Sequence, residues 1–296
     1  MNDNLYDTPL RILLLIAFGS ILGSNADAQG FQQIYGTSAE NSFSKVIPHG
    51  TDYYVLGQGA NSRATVTRLD AAGQIQWTQS LNIASAWNDA VLTPGGDLLL
   101  AGGTLPADNT GKGLLGRISA GGTFGFLGSY DAGNRDFFTR IVHNASPQNA
   151  AFPYYVLGTQ AGANLSEEDV VLMNISQSGA INWKKIIFYT GSDDAFSRDM
   201  IALPGGDLLL GGNTNGNGIL IRVDNTGQTV GGALELESAT ALANASGGSG
   251  NFFVGAGESP AAVHLLKFDQ DILPRWDVTI PQLSAMPEWM ARLPMG

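Results

Sequence analysis

Leu92-Thr93-Pro94-Gly95-Gly96-Asp97-Leu98-Leu99-Leu100-Ala101-Gly102-Gly103 returns as Leu203-Pro204-Gly205-Gly206-Asp207-Leu208-Leu209-Leu210-Gly211-Gly212. Self-similarity at a fixed period marks a repeat architecture. Working outward from these two copies, five full units span Phe31–Trp77, Thr78–Phe126, Leu127–Trp183, Lys184–Gly232 and Ala233–Trp276. Asp277–Gly296 opens another. The units are 47, 49, 57, 49 and 44 residues long, the period of β-propeller blades.

Each unit divides into four short apolar pieces separated by turn residues. In the second, strand a is Asn88–Thr93, strand b Asp97–Gly102, strand c Gly113–Ser119 and strand d Thr123–Tyr130. Pro94-Gly95-Gly96 and Ala120-Gly121-Gly122 turn the chain, because Gly reaches positive φ at low cost. Strand b is nearly unbroken in apolar character, as in Leu98-Leu99-Leu100 and Tyr154-Tyr155-Val156-Leu157. Such a strand must be covered on both faces, as stacked blades do. Gly57, Gly102, Gly158 and Gly212 follow it, a recurrence that predicts close approach of another backbone. Trp77, Phe126, Trp183 and Trp276 recur on strand d as filler between blades. The fold class is all-β: a propeller of four-stranded antiparallel blades, five full and a sixth incomplete.

Composition narrows the chemistry. The chain has 296 residues, 44% of them hydrophobic and only 14% charged, with 39 Gly and a net charge of −11. Fifteen scattered Lys and Arg form no basic stripe, so no nucleic-acid partner is expected. The lack of cysteine excludes disulfides, thiolate nucleophiles, Cys-ligated zinc and acylation as a lipoprotein.

At the N-terminus Arg11 precedes the apolar run Ile12–Gly23, and Ala26-Asp27-Ala28 offers a small-residue exit. This is the pattern of a secretory signal peptide at 1–28, leaving a propeller domain at 29–296. As a helix the run would reach about 18 Å, short of the roughly 30 Å hydrocarbon core. Export without membrane insertion after cleavage is the expectation: secreted or at the cell surface, with the periplasm as the alternative.

The pattern Gly-Gly-Asp-Leu-Leu-Leu-x-Gly, followed by Leu-x-Arg-hydrophobic-Asp-x-x-Gly-x-x-x-Trp, resembles repeats of secreted bacterial β-propellers, including those carried by the type IX secretion route. The resemblance covers most of Phe31–Gly296 and implies fold and export. Leu69–Trp77 also resembles a blade motif of quinoprotein dehydrogenases and related assembly-factor propellers. The turns between strands c and d resemble the Asp-boxes of sialidases, with Arg68 where those have Ser or Thr.

Standard catalytic signatures are missing. His49, His143 and His264 are dispersed, the first two at the ends of strand a, and no nucleophile elbow or phosphate loop occurs. In a blade of this order strand a lines the channel, and the d-to-a and b-to-c loops share one face. That face is the candidate surface. Acidic or amide residues stand near the start of strand a: Glu40-Asn41, Asn88-Asp89, Asp136, Asp193-Asp194, Glu237 and Glu288. Convergent carboxylates suit Ca²⁺, which makes Asp89, Asp136, Asp193 and Asp194 the candidate ligands. The competing reading has each carboxylate accept backbone N–H groups where the chain enters a blade. No other cofactor is implied. Unit three carries the longest insertions, an a-to-b turn at Ser146–Pro153 and a b-to-c loop at Gly162–Asp169.

Met290–Gly296 aligns with Met200–Gly206, inside the a-to-b turn of a sixth unit, and Phe31–Tyr35 aligns as a lone strand d. The expectation is a piece of a propeller of six to eight blades. The function expected is a non-enzymatic binding or scaffold module for an unknown protein or glycan. The alternatives are a propeller-fold enzyme (lyase, glycosidase or quinoprotein-like) and a structural adhesin or surface-layer segment.

Overall fold

The structure is a computed structural model that describes residues 42–106, 110–131, 135–161, 168–187, 195–203, 205–214, 217–231, 234–236, 241–244, 253–259, 262–269 and 274–281. The expected signal peptide and the sixth unit's turn lie outside these residues, as do Asp193, Asp194, Glu40, Asn41, Glu237 and Glu288. Among the described residues no helix is long and apolar enough to cross a membrane.

The chain forms antiparallel four-stranded meanders, as a propeller requires. Blade one is β1 (Ser42–His49), β2 (Asp52–Gly59), β3 (Arg63–Leu69) and the first half of β4 (Ile75–Leu92). Blade two takes the second half of β4, then β5 (Leu98–Thr104), β6 (Gly113–Ile118) and β7 (Phe124–Tyr130). Blade three is β8 (Arg135–His143), β9 (Tyr154–Ala161), β10 (Glu168–Ile175) and β11 (Ile181–Ile187). Blade four is β12 (Ala195–Ala202), β13 (Leu208–Thr214), β14 (Asn217–Val223) and β15 (Leu234–Leu236). Blade five is β16 (Ala241–Asn244), β17 (Phe253–Ser259), β18 (Ala262–Phe268) and β19 (Pro274–Pro281).

One joint departs from expectation. No loop separates strand d of blade one from strand a of blade two, because β4 runs unbroken for 18 residues and pairs with β3 and then β5. Gln79–Ala86 holds neither Gly nor Pro, so nothing interrupts the extended chain.

The central strands alternate their side chains between neighbouring blades. Leu98 and Leu100 join Tyr54 and Leu56 of blade one, while Leu99 and Ala101 join Tyr154 and Val156 of blade three. Tyr155 and Leu157 in turn join Leu208 and Leu210 of blade four. Period-two alternation thus gives the central strands of blades two and three a partner on each side.

Strand d fastens blade one to two, two to three and three to four. The Trp77, Phe126 and Trp183 rings lie against Gly122, Gly179 and Gly227, the positive-φ glycines of the following c-to-d turns. A Cβ at these positions would meet the ring at 2.9, 2.7 and 2.7 Å, so the turn needs Gly for both its backbone and its neighbour. Trp77 Nε1 also donates to Ala120 O at 3.1 Å. Inside the turns, Asp70, Ser119, Ser176 and Asp224 accept backbone N–H bonds from residues ahead, such as Gln74 N to Asp70 Oδ1 at 2.8 Å. The Asp and Arg of the repeated motif form one device. Asp52–Arg68, Asp97–Arg117 and Asp207–Arg222 are ion pairs linking strands b and c in blades one, two and four.

Candidate functional site

The site begins with an irregularity in the channel-lining strands. In four blades the pairing of strand a with strand b slips by one residue: between Phe43 and Lys45, Trp87 and Asp89, Phe138 and Arg140, and Ser197 and Asp199. Each slip is a β-bulge, which bends the strand and re-aims a side chain. Gly57, Gly102, Gly158 and Gly212 pair immediately before the slip. A Cβ at Gly158 would sit 2.5 Å from Phe137 O. The backbone anticipated near these glycines is therefore the blade's own inner strand.

The bulges align two series of side chains around the channel. The extra residues reach the next blade: Ser44 Oγ donates to Trp87 O at 2.8 Å, and Asn88 Nδ2 to Phe138 O at 2.6 Å. Thr139 Oγ1 lies 3.0 Å from Ser197 Oγ. One position later stand Lys45, Asp89, Arg140 and Asp199, alternating in sign. Lys45 pairs with Asp89, Arg140 Nε lies 3.6 Å from Asp89 Oδ2, and Arg140 Nε lies 2.5 Å from Asp199 Oδ1. Burial opposes charge on Arg140, but Asp89 and Asp199 together outweigh it and raise its pKa. A chain of four ion-pairing charges joins four blades.

Asp89 is therefore fully engaged. It is buried, and besides the two cations it accepts Ala90 N at 2.8 Å and Ile141 N at 2.9 Å. Asp136 is also buried but occupies a different register, opposite Gln160 and ahead of the bulge. The two carboxylates are not equivalent points of one ring: Asp89 follows the bulge, opposite Ala101, whereas Asp136 precedes it by two rows, in the register of Ser85. Among the described residues no group of three His, Cys, Asp or Glu is placed to hold a metal ion. Asp193 and Asp194 lie outside the described residues.

Above the bulges, on the face of the b-to-c and d-to-a connections, a cavity of about 420 Å³ spans blades two, three and four. Leu105 and Pro106 of the β5–β6 loop form one wall, with Phe137 beside them. Thr139, Thr159 and Ser197 are joined hydroxyl to hydroxyl, with Ser197 Oγ 3.0 Å from each threonine Oγ1. Arg135 pairs with the buried Glu168. Arg198, the extra residue of the fourth bulge, is exposed at the cavity and has no ion-pair partner among the described residues.

Sequence reading located this face but missed the hydroxyl trio and Arg198. Their shared origin is the bulge and its neighbour, and only strand pairing aligns those positions. His49 and His143 end β1 and β8 as expected, stacked or tilted against Tyr54 and Tyr154. Burial lowers the His143 pKa.

With this geometry in view, solved structures identify the architecture. The chain is similar to the Dos1 propeller at 10% identity, covering 82% of this chain and 59% of that one, with a TM-score of 0.57. It is similar to a protein from Lactobacillus plantarum at 14% identity, covering 86% and 74%, TM-score 0.54. It is also similar to the periplasmic gluconolactonase of Pseudomonas aeruginosa at 14% identity, covering 78% and 67%, TM-score 0.53. Neither a protein-family model nor a curated protein matches the sequence. The chain is a β-propeller; likeness at these identities extends to the fold alone.

Proposed function

We propose that the protein is an exported, non-enzymatic binding propeller, and that its ligand is a hydroxyl-rich molecule of the glycan class held in the cavity between blades two, three and four. The observation that carries this reading is the Thr139–Thr159–Ser197 trio on the cavity wall. Hydroxyls both donate and accept, as sugar hydroxyls do. Arg198 adds fixed donors, and Phe137 with Leu105 offers an apolar wall for a sugar's C–H face. Rigid strands carry most of these groups, a good frame for recognition.

Hydrolysis finds less support. Glycosidases need two facing carboxyl groups, one of them protonated. Glu168 shares a sheet row with Arg135 across Ala161, and Asp136 stands in the next row. Successive rows point to opposite faces, and Glu168 is ion-paired with Arg135. Export rests on the leader-like segment at 1–28. N-terminal sequencing of the protein from culture medium is expected to begin at Gln29.

A glycan array probed with the intact protein, followed by titration calorimetry, tests the binding reading. Ser197→Val should weaken a captured glycan at least about tenfold, because it leaves two threonine hydroxyls without their shared partner. Absence of glycan binding, or unchanged affinity in Ser197→Val, refutes it.

A further inference from the structure

The turn face of blade three carries a second cavity that the repeat does not predict. In blades one, two and four the Asp–Arg ion pair ties the start of strand b to strand c. In blade three the residue in the arginine's register, opposite Tyr155, is Asn174. Arg68, Arg117 and Arg222 stand opposite Tyr54, Leu99 and Leu209 in the same way. Pro153 takes the place of the aspartate, at the end of the extended a-to-b turn.

Losing the ion pair opens a cavity of about 270 Å³ between this turn and the c-to-d turn of blade four. Its lining is uncharged and rich in amides: Gln148, Asn149, Asn174, Asn182 and Asn225, with Trp183 and Phe152 beside them. Asn174 is committed, donating to Phe152 O at 2.7 Å and accepting from Asn182 Nδ2 at 2.9 Å. One amide group nearby is not satisfied. Asn225 Nδ2 donates to Gln148 Oε1 and Asn149 Oδ1 at 3.3 Å each. Asn149 Nδ2 is buried with no hydrogen-bond partner. A buried amide group lacking a partner costs on the order of 1–3 kcal/mol, and such groups are rare enough to call for a ligand or water.

We infer that this cavity is a saccharide site for a neutral sugar ring, separate from the cavity on the opposite face. A charged ligand would meet no countercharge among the lining side chains. Amides supply paired donors and acceptors, and the orphaned Asn149 N–H group supplies a donor for a ring hydroxyl. The volume limits the occupant to about one ring. This inference stands independently of the glycan reading for the other face.

The test titrates the intact protein with methyl glucoside, methyl galactoside and N-acetylglucosamine, followed by saturation-transfer NMR and calorimetry. At least one is expected to bind, with affinity falling at least tenfold in Asn149→Leu and in Asn182→Leu. Asn182 is exposed, so its variant keeps the test valid if Asn149→Leu fails to fold. No binding by any of the three sugars overturns the inference, as does binding that only Ser197→Val weakens. Binding of a capped tripeptide in place of every sugar also overturns it.

Discussion

Replacing Asp89 by Ala should be among the most damaging changes on the channel. The carboxylate is buried, with its side chain 1% exposed, and serves two cations and two backbone N–H groups. Deleting it strands the Ile141 N–H that faces it from the neighbouring blade, at about 1–3 kcal/mol. Arg140 keeps Asp199, and Lys45, 29% exposed, can turn to water. Removing one member of a buried ion pair typically costs about 3–5 kcal/mol, and the two ranges meet at about 3 kcal/mol. At about 2–4 °C per kcal/mol for a domain of this size, Tm should fall by roughly 10 °C. Asp89→Asn keeps one acceptor and should lose about half as much. Lys45→Met should cost no more than about 1 kcal/mol, because solvent already screens that cation. Equilibrium urea unfolding of the three variants reads these values as midpoint shifts at constant m. If Asp89→Ala is no worse than Lys45→Met, the alternating charges are decoration on an already rigid channel and the reasoning fails.

Gly227→Ala should destabilise by about 2–4 kcal/mol, combining positive φ with a Cβ 2.7 Å from the Trp183 ring; urea unfolding checks it. Burial and then the Asp224 charge raise the Tyr155 pKa to about 12. The native state therefore holds this proton more tightly, so stability should decline as pH rises from about 10 to about 12. Tyr155→Phe should flatten that decline in stability-versus-pH curves. His143 has the opposite arrangement, since burial lowers its pKa. The unfolded chain then binds the extra proton first, so stability should fall as pH drops below about 6.5, and His143→Gln should remove that slope.

Turn chemistry and period were legible because they are local. Gly73, Gly122, Gly179 and Gly227 sit three residues after a side chain that bonds the turn, a spacing visible in any copy of the motif. Apolar runs such as Leu98-Leu99-Leu100 likewise announce strands covered on both faces. The bulge was not legible, since an extra residue in strand a looks like ordinary variation in length. Asp89 and Asp136 share a residue type and a place near the start of strand a, yet strand pairing sets them in different registers, opposite Ala101 and Gln160. The Lys45–Asp89–Arg140–Asp199 chain escaped notice because its members differ in residue type, and a search for repeated identity passes over alternation. The amide cavity of blade three leaves only an indirect trace, the long a-to-b turn together with an Asn where other units have Arg.

The unbroken β4 strand has a mechanical consequence. Blades one and two share a strand whose ladder continues from one sheet into the other. Pulled from its ends in an optical trap, the chain should release these two blades in a single step of about double length, and a backbone cut between them should damage both.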